Sequence, residues 1–156
     1  MILDSRYEVI EELGSGIWAT VYKVKDLRTD QLFALKYFNQ IEAKEFYKKL
    51  PANNMHHLTQ INHPNLINIV DFGNIGNNVY ALSDYYDGHP LNRFPVNRDN
   101  ISELYNIVTQ VCYALHALHT HGMIHKDLKP HNILFRFTGS GPQIKVMDYG
   151  FSKIDL

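Results

Sequence analysis

The sequence predicts an α+β fold, in which five strands and one inserted helix are followed by a region with a longer helix. Short apolar runs bounded by turn residues fill the first half of the chain, and such runs are typical of strands. Apolar residues at spacings of three and four begin after residue 100, and this period is typical of a helix. The length of 156 residues leaves room for one domain of ordinary size.

Three strands are predicted at the start of the chain, over residues 7–13, 21–25 and 32–38. A glycine-bearing turn separates the first two strands, and Arg28, Thr29 and Asp30 supply the turn before the third. The segment 40–50 that follows is charged and mixed, with some helical character.

A helix over 51–62 and two further strands complete the first part of the chain. Pro51 fits the first helical turn, because a missing N–H costs nothing there. The two strands are predicted over 66–72 and 79–82, and the loop 73–77 between them is rich in turn-forming residues.

A longer helix is predicted over about 102–120. Asn100 would be its N-cap, with Glu103 reaching back to complete a capping box, and Gly122 suits the position after its end. Its apolar stripe consists of Leu104, Val108, Val111, Leu115 and Leu118. Further apolar residues lie off this stripe, at Ile101, Ile107, Cys112 and Ala114. A helix that is apolar on more than one side is expected to have packing partners on more than one side.

Composition and charge exclude several classes of protein. The formal charge of −1 argues against a nucleic-acid or anionic-membrane partner, which excess Lys and Arg usually contact. The single cysteine, Cys112, excludes an internal disulfide and is predicted to be a buried, inert thiol of the long helix. The N-terminal MILDSRYEVI has no basic leader, and the chain has no apolar run long enough to cross a membrane. A cytoplasmic location is therefore expected.

Two features of the first part suggest contact with phosphate groups. Gly14 and Gly16 allow a tight turn to bring backbone N–H groups against phosphate oxygens with no side chain in the way. Lys36, on the third predicted strand, places an ammonium group where it can meet phosphates across the sheet. Each feature alone also has an ordinary explanation, as a hairpin turn and as a solvated surface charge.

The strongest motif is the run HKDLKPHN at 125–132, which precedes a predicted strand over 133–137 and the tripeptide DYG. Phosphoryl transfer requires an oriented nucleophile and neutralised phosphate charge more than covalent chemistry by the protein. An Asp that accepts the hydroxyl proton, a Lys for the γ-phosphate, and an Asn and a second Asp for metal are the set required. Asp127, Lys129, Asn132 and Asp148 supply that set in order.

These motifs resemble those of eukaryotic-type Ser/Thr protein kinases, over nearly the whole chain from Tyr7 to Phe151. The resemblance implies a protein-kinase-like fold with a five-stranded antiparallel N-lobe and its helix C over residues 1–86. A partial helical C-lobe would follow over residues 87–156. The Lys at position 129 favours the Ser/Thr class over tyrosine kinases. The implied ligands are ATP and Mg²⁺, and the implied partner is a protein substrate.

The resemblance also implies the roles of individual residues. Asp127 would be the catalytic base, Lys129 would steady the γ-phosphate, and Asn132 and Asp148 would hold magnesium. The residues implied to bind the nucleotide are Gly14, Gly16, Val21, Ala34, Lys36, the gatekeeper Ser83, and the hinge residues Asp84 and Tyr86.

The sequence departs from the family pattern at two positions that affect these roles. Lys126 replaces the usual Arg beside the catalytic Asp, and a Lys lacks the bidentate fork that grips a phosphate. Asn54 stands where relatives place the glutamate that pairs with the strand lysine, and an Asn cannot supply the counter-charge to Lys36. Glu42 or Glu45 would substitute only if the helix were longer or shifted.

The family has an activation segment and further helices beyond the position of Leu156. One of those helices packs on the helix predicted over 102–120. We therefore expect a longer natural chain, a partner chain, or self-association through this helix face. Three functional hypotheses remain open: a Ser/Thr kinase that is truncated, split or completed by a partner; a pseudokinase-like nucleotide sensor or scaffold; and an interaction module without nucleotide.

Overall fold

A computed structural model describes residues 1–38, 44 and 52–150, with the backbone alone at 52–54 and 98. Of the segment 40–50, predicted to have some helical character, only Lys44 is described, and it is helical; the two substitute glutamates, Glu42 and Glu45, lie outside the described residues. So do Pro51 and the segment from Phe151 onward.

The chain divides into two compact units, and the second is discontinuous in sequence. The first unit comprises Met1–Gln60 and Asn68–Tyr85. The second unit takes in Ile61–Ile67 and the chain from Tyr86 onward. No helix among the described residues is long and apolar enough to cross a membrane.

The first unit is a six-stranded antiparallel sheet with one described helix. The strands are β1 (Ile2–Leu3), β2 (Tyr7–Ser15), β3 (Ala19–Asp26), β4 (Leu32–Phe38), β5 (Ile69–Ile75) and β6 (Asn78–Asp84), and the helix is α1 (Ala52–Gln60). Their order across the sheet is β1-β2-β3-β4-β6-β5. The sequence predicted five of these strands and missed β1, which is too short to show a period. It also began β5 too early, since Leu66 makes only an isolated bridge.

One face of this sheet forms the core of the first unit. Its fully or largely buried side chains are Tyr7, Val24, Phe33, Leu35, Tyr80 and Leu82. The rings of Tyr7 and Tyr80 meet edge to face, with their centroids 5.9 Å apart. Because successive side chains of a strand point to opposite faces, the residues between these core positions lie on the other face.

The second unit packs a long helix against a three-stranded sheet. Its elements are α2 (Ile101–Thr120), β7 (His89–Pro90), β8 (Ile133–Thr138) and β9 (Gly141–Val146), with 3₁₀ turns at Leu91–Arg93, Arg98–Asn100 and Pro130–Asn132. Gln110 attaches the helix to its surroundings: its Oε1 accepts from Ile144 N (3.0 Å) and Asn65 Nδ2 (2.8 Å). Its Nε2 donates to Pro142 O at 2.9 Å.

The segment Ile61–Ile67 is held by main-chain bonds to the end of β9. Val146 N donates to Asn65 O at 2.8 Å, and Ile67 N donates to Val146 O at 2.9 Å. These two bonds explain why a segment from the first half of the sequence belongs to the second unit.

The start of α2 differs from the predicted capping box. Asn100 makes no side-chain capping bond to α2. Instead, Asn97 Oδ1 accepts from the backbone N–H groups of Asp99 and Asn100, and Asn100 Oδ1 accepts from Asn97 N. The box therefore caps a preceding 3₁₀ turn, and Glu103 has no part in it. At the other end Gly122 has a φ of 70° and donates to His119 O, as the predicted helix end requires.

The buried side of α2 also differs from the predicted stripe. Its buried residues are Ile107, Ala114 and Leu118, which lie towards β9, whereas Val108 is 60% exposed. Cys112 is exposed, so the prediction of a buried thiol was wrong. Exposed apolar residues recur at spacings of four, three and four; we call this the outer stripe, and it consists of Ile101, Tyr105, Val108 and Cys112.

A bidentate ion pair ties the turn between β1 and β2 to the end of β3. Arg6 Nη2 and Nε donate to the two carboxylate oxygens of Asp26 at 2.7 and 3.1 Å. The Asp26 side chain is only 1% exposed, and its Oδ1 also accepts from Arg28 N. The hydrogen bonds from Arg6 lower the pKa of Asp26 to about 2.

We expect Asp26→Asn to destabilise the first unit at neutral pH and to lose that effect in acid. Since the folded-state pKa of Asp26 is depressed, its stabilising contribution is present above the unfolded value of 3.8 and is lost as the pH falls through about 2. Urea unfolding of both proteins between pH 7 and pH 2.5 measures the difference. Asp30→Asn is the control, because Asp30 is exposed in its pair with Lys25. A difference that does not change with pH would contradict this account.

Candidate active site

The face of the first sheet opposite its core carries the predicted nucleotide-binding side chains. Val21 lies opposite Lys36, and Ala34 lies opposite Ser83. Directly opposed residues of neighbouring strands point to the same side, and Leu35 between them is buried in the core. The register therefore brings Val21, Ala34, Lys36 and Ser83 together on one face. Ser83 Oγ also donates to Ala34 O at 3.3 Å.

The glycine turn between β2 and β3 leaves its backbone open. Gly14 pairs with Val21, and Gly16 N donates to Ala19 O at 2.9 Å. A Cβ added at Gly14 would meet nothing within 4 Å, and one at Gly16 would meet only Ala19 O, at 3.9 Å. Neither glycine has a positive φ. The fold therefore does not require glycine at these positions, and the open backbone leaves room for a ligand to approach it closely.

The end of β6 is fixed by a neighbouring asparagine. Asp84 N donates to Asn68 O at 3.0 Å, and Asn68 Nδ2 donates to Asp84 Oδ2 at 2.9 Å. The predicted adenine contact at Asp84 can therefore use its carbonyl group but not its N–H. In the second unit, the Tyr86 carbonyl accepts from Gly88 N, and the Tyr86 hydroxyl donates to Gln143 O at 3.0 Å. The Tyr86 carbonyl is therefore engaged, and the Tyr86 N–H is the main-chain group left for the predicted adenine contact.

The helix position predicted to lack its glutamate lies in α1. Asn54 falls within Ala52–Gln60, and only its backbone is described. The prediction that Asn54 cannot supply the counter-charge to Lys36 is therefore not tested by the structure.

Two predicted catalytic residues of the second unit, Asp127 and Lys129, form one hydrogen-bonded group with the predicted metal ligand Asn132. Lys129 Nζ lies 2.7 Å from Asp127 Oδ2. The buried Asn132 donates through Nδ2 to the same oxygen at 3.0 Å and to the Asp127 carbonyl at 2.8 Å. Both side-chain bonds use Oδ2, so Oδ1 of Asp127 remains available within the described part of the chain. The hydrogen bond from Lys129 lowers the pKa of Asp127, which is therefore ionised at neutral pH.

The buried His125 joins this group to Met147, the residue before Asp148. Its Nδ1 accepts from Asp127 N at 3.3 Å, and its Nε2 lies 2.9 Å from the carbonyl oxygen of Met147. Since Nδ1 is an acceptor, the proton lies on Nε2, which donates to Met147. Met147 N in turn donates to Asn132 O at 2.9 Å. Asp127, Asn132 and the residue before Asp148 are thus linked in a closed network.

Two residues at this site have left-handed backbones. Lys126 has a φ of 62° and Asp148 a φ of 63°. An Asp adopts this conformation with relative ease, whereas a Lys pays on the order of 1–2 kcal/mol. Such strain persists only where the surrounding bonds determine the conformation, and here the network around His125 and Asn132 does so.

The side-chain oxygens of Asn132 and Asp148 are of the kind that a magnesium ion prefers. Because the Asn132 hydrogen bonds use Nδ2, its Oδ1 is left as a potential ligand. In the described part of the chain, no group of three or more His, Cys, Asp or Glu residues is arranged for a metal.

The sequence analysis missed how the DYG segment is anchored. Tyr149 is 1% exposed, and its hydroxyl donates to Ile67 O at 2.6 Å. A phenol in place of a phenyl ring was the available signal, since a buried tyrosine hydroxyl usually has a partner.

Comparisons with known proteins agree with these observations. Residues 7–154 match the family described as the protein kinase domain. Cyclin-dependent kinase-like 4 of Mus musculus is 30% identical over 151 residues, which are 96% of this chain and 43% of that protein. The probable serine/threonine-protein kinase PknB of Lactococcus lactis subsp. lactis is 31% identical in an alignment 164 residues long, which covers 97% of this chain and 24% of that protein. The chain spans less than half the length of either relative.

A solved structure shows the same fold. A mutant form of the kinase domain of Mycobacterium tuberculosis PknI superposes with a TM-score of 0.77 at 26% identity. The match covers 97% of this chain and 62% of that one. The predicted fold class, with its antiparallel sheet and few helices, is confirmed.

We expect Gly14→Ala and Gly16→Ala to weaken nucleotide binding without destabilising the fold. Both positions accommodate a Cβ, and such changes usually stabilise a protein by about 0.4–1 kcal/mol. Urea unfolding measures stability, and calorimetric titration with ATP and magnesium measures affinity. The control is Gly73→Ala, whose Cβ would overlap the Tyr80 ring and should cost about 1–3 kcal/mol. Unchanged affinity in both variants would show that the turn does not meet the ligand.

Proposed function

The chain belongs to the protein kinase family, and from this premise we propose that it takes part in ATP-dependent phosphoryl transfer to Ser and Thr hydroxyls of proteins. The observation that carries the proposal is the hydrogen-bonded group of Asp127, Lys129 and Asn132. The position of Lys129, two residues after the base, supports the Ser/Thr class. Relatives named as serine/threonine-protein kinases support the same class.

We propose that the first unit binds the nucleotide. The open backbone at Gly14 and Gly16 meets phosphate oxygens, and the ammonium group of Lys36 neutralises part of their charge. Val21 and Ala34 supply apolar cover for the adenine ring, and Ser83 is the gatekeeper beside it. Their common location on one sheet face supports these roles.

In the second unit, Asp127 orients the nucleophile. Its Oδ1 accepts the hydrogen bond of the substrate hydroxyl, whose oxygen bonds to the γ-phosphorus as the bond to the β,γ-bridging oxygen breaks. ADP leaves, and the hydroxyl proton passes to Asp127. The lowered pKa of Asp127 is compatible with this role, because phosphoryl transfer depends mainly on positioning and charge stabilisation. Lys129 holds Oδ2 and places positive charge beside the transferred group.

Asn132 and Asp148 would hold magnesium through their side-chain oxygens. When bound, Mg²⁺ neutralises charge on the phosphate oxygens. The network from His125 through Met147 to Asn132 keeps the metal-binding residues and Asp127 in fixed relation.

We further propose that another protein surface covers the outer stripe of α2. Its four side chains are exposed, and each large apolar side chain left uncovered forfeits roughly 1.5–3 kcal/mol of burial. Over the whole stripe, the lost burial is a large fraction of the ~5–15 kcal/mol stability of a typical protein. The cover is the remainder of a kinase domain, a partner chain or a second copy of this chain.

A second candidate function is that of a nucleotide-binding sensor or scaffold with little transfer activity. The specific observation in its favour is Asn54 in α1, at the position where relatives place the glutamate partner of Lys36. This hypothesis keeps ATP binding by the first unit and removes efficient transfer.

A cytoplasmic location stays a prediction from the sequence. It rests on the single cysteine and on the N-terminal composition.

We expect ATP with magnesium to stabilise the protein and labelled phosphate to be transferred to a generic Ser/Thr protein substrate. At a hundredfold excess of ATP over its Kd, the stabilisation is about 2.7 kcal/mol, which is several degrees in a thermal melt. Asp127→Asn should keep the thermal shift, because the base does not bind the nucleotide, and should abolish transfer.

The outcomes separate the hypotheses. A shift without transfer in the wild type supports the sensor, and the absence of any shift contradicts both candidates and leaves an interaction module. Transfer that survives Asp148→Ala contradicts the metal role of that residue.

If a second copy covers the outer stripe, we expect the protein to associate and Val108→Asp to make it monomeric. A buried carboxylate in an apolar interface is strongly unfavourable. Sedimentation velocity measures the change. Thr109→Asp is the matched control, because Thr109 is exposed beside the stripe and should leave association intact. A wild-type monomer would exclude the second copy as the cover.

A further inference from the structure

Lys23 lies on the sheet face proposed to bind the nucleotide, although no motif includes it. It follows Val21 by two residues on β3, so both side chains point to the same side. Its neighbour on β4 is Ala34, which in turn lies opposite Ser83 on β6. On the other side of Lys23, β2 places Glu11 directly opposite. Lys23 is therefore in the row of the predicted adenine-binding residues.

The Lys23 ammonium group is held from two sides. Its Nζ lies 4.4 Å from the centroid of the Tyr85 ring and 3.3 Å from Glu11 Oε1. The side chain is only 20% exposed, whereas Glu11 is 53% exposed. A side-chain hydrogen bond with Tyr85 first, and one with Glu11 second, raise the pKa of Lys23, so the group remains charged. A cation over an aromatic face is attracted by the quadrupole of the ring.

Tyr85 lies between Asp84 and Tyr86, the two residues whose backbone groups are proposed to bind adenine. Asn68 fixes Asp84 by two hydrogen bonds. Lys23 holds the next residue along the chain, Tyr85, through its contact with the Tyr85 ring. A loss of this contact would let the backbone after β6 move away from its binding geometry, and small displacements of positioning groups weaken binding strongly.

We propose that Lys23 is a positioning residue for adenine recognition, which acts by holding the Tyr85 ring against the sheet. This inference rests on the proposed nucleotide binding and adds a specific prediction to it. A positioning role affects the adenine contacts, so it weakens adenosine and ATP by the same factor. Direct contact of the ammonium group with phosphate would instead weaken ATP more than adenosine.

The test compares Lys23→Met with Lys25→Met by calorimetric titration with adenosine and with ATP and magnesium. Lys25 is a matched control, because it lies on the same strand and face and its ammonium group contacts Asp30, at 2.8 Å, rather than a described aromatic ring. We expect Lys23→Met to raise both Kd values about two- to fivefold, the range of an exposed cation–π contact. Lys23→Arg should bind as the wild type does, and Tyr85→Leu should match Lys23→Met.

Amide hydrogen exchange provides a readout that does not depend on the ligand. Lys23→Met should speed exchange at Asp84, whose N–H donates to Asn68 O next to Tyr85, and Lys25→Met should not. Wild-type affinity in Lys23→Met, with unchanged exchange, would overturn the inference and leave the proposed function intact. A larger loss for ATP than for adenosine would also overturn it, in favour of phosphate contact. If the wild type binds neither ligand, the proposed function fails, and unchanged exchange would overturn the positioning role as well.

Discussion

The apolar face of the first sheet can be buried in only one register, and this constraint places every side chain proposed to contact the nucleotide. Leu35 and Val24 belong to the core, so Lys36 and Val21 must point to the opposite face. A slip of one residue would turn Leu35 outward and carry an ammonium group into the apolar interior. The energetics of burial and the geometry of ligand binding are therefore set by the same pairing of strands.

In the second unit, hydrogen bonds of buried polar groups, rather than burial of an apolar face, determine the arrangement of the candidate site. His125 and Asn132 are both buried, and their hydrogen bonds run from Asp127 to Met147. Because buried polar groups are costly when unpaired, the arrangement is strongly determined once the chain folds. That determination sustains the left-handed backbones at Lys126 and Asp148. The strained residues and the carboxylate of Asp127 are thus parts of one network.

The sequence was most informative where a short-range pattern decides the structure. The strand 32–38 and the glycine turn follow from local period and turn chemistry, and β4 has the predicted bounds. The sequence could not predict in the same way which face of α2 is buried. Periodicity shows which positions are apolar, whereas the covered arc depends on Gln110, whose partners lie 34 and 45 positions away in sequence.

At the candidate site, the motifs predicted which residues matter but not which of their atoms are engaged. The run HKDLKPHN predicted Asp127 as the base and Asn132 as a metal ligand. That Nδ2 of Asn132 contacts Asp127, and leaves Oδ1 for metal, depends on the fold of the loop. The exposure of Cys112 was missed for a related reason, since an apolar sequence neighbourhood does not ensure that another element covers the residue.

The route of Ile61–Ile67 into the second unit has a consequence for dissecting the protein. This segment gives β9 its main-chain partners at Val146 and gives the Tyr149 hydroxyl its acceptor. A fragment that started at Tyr86 would lose all three bonds and present a bare strand edge, which invites pairing with other chains. No single cut yields two intact halves, and an isolated second unit would have to carry this stretch as an added or re-linked peptide.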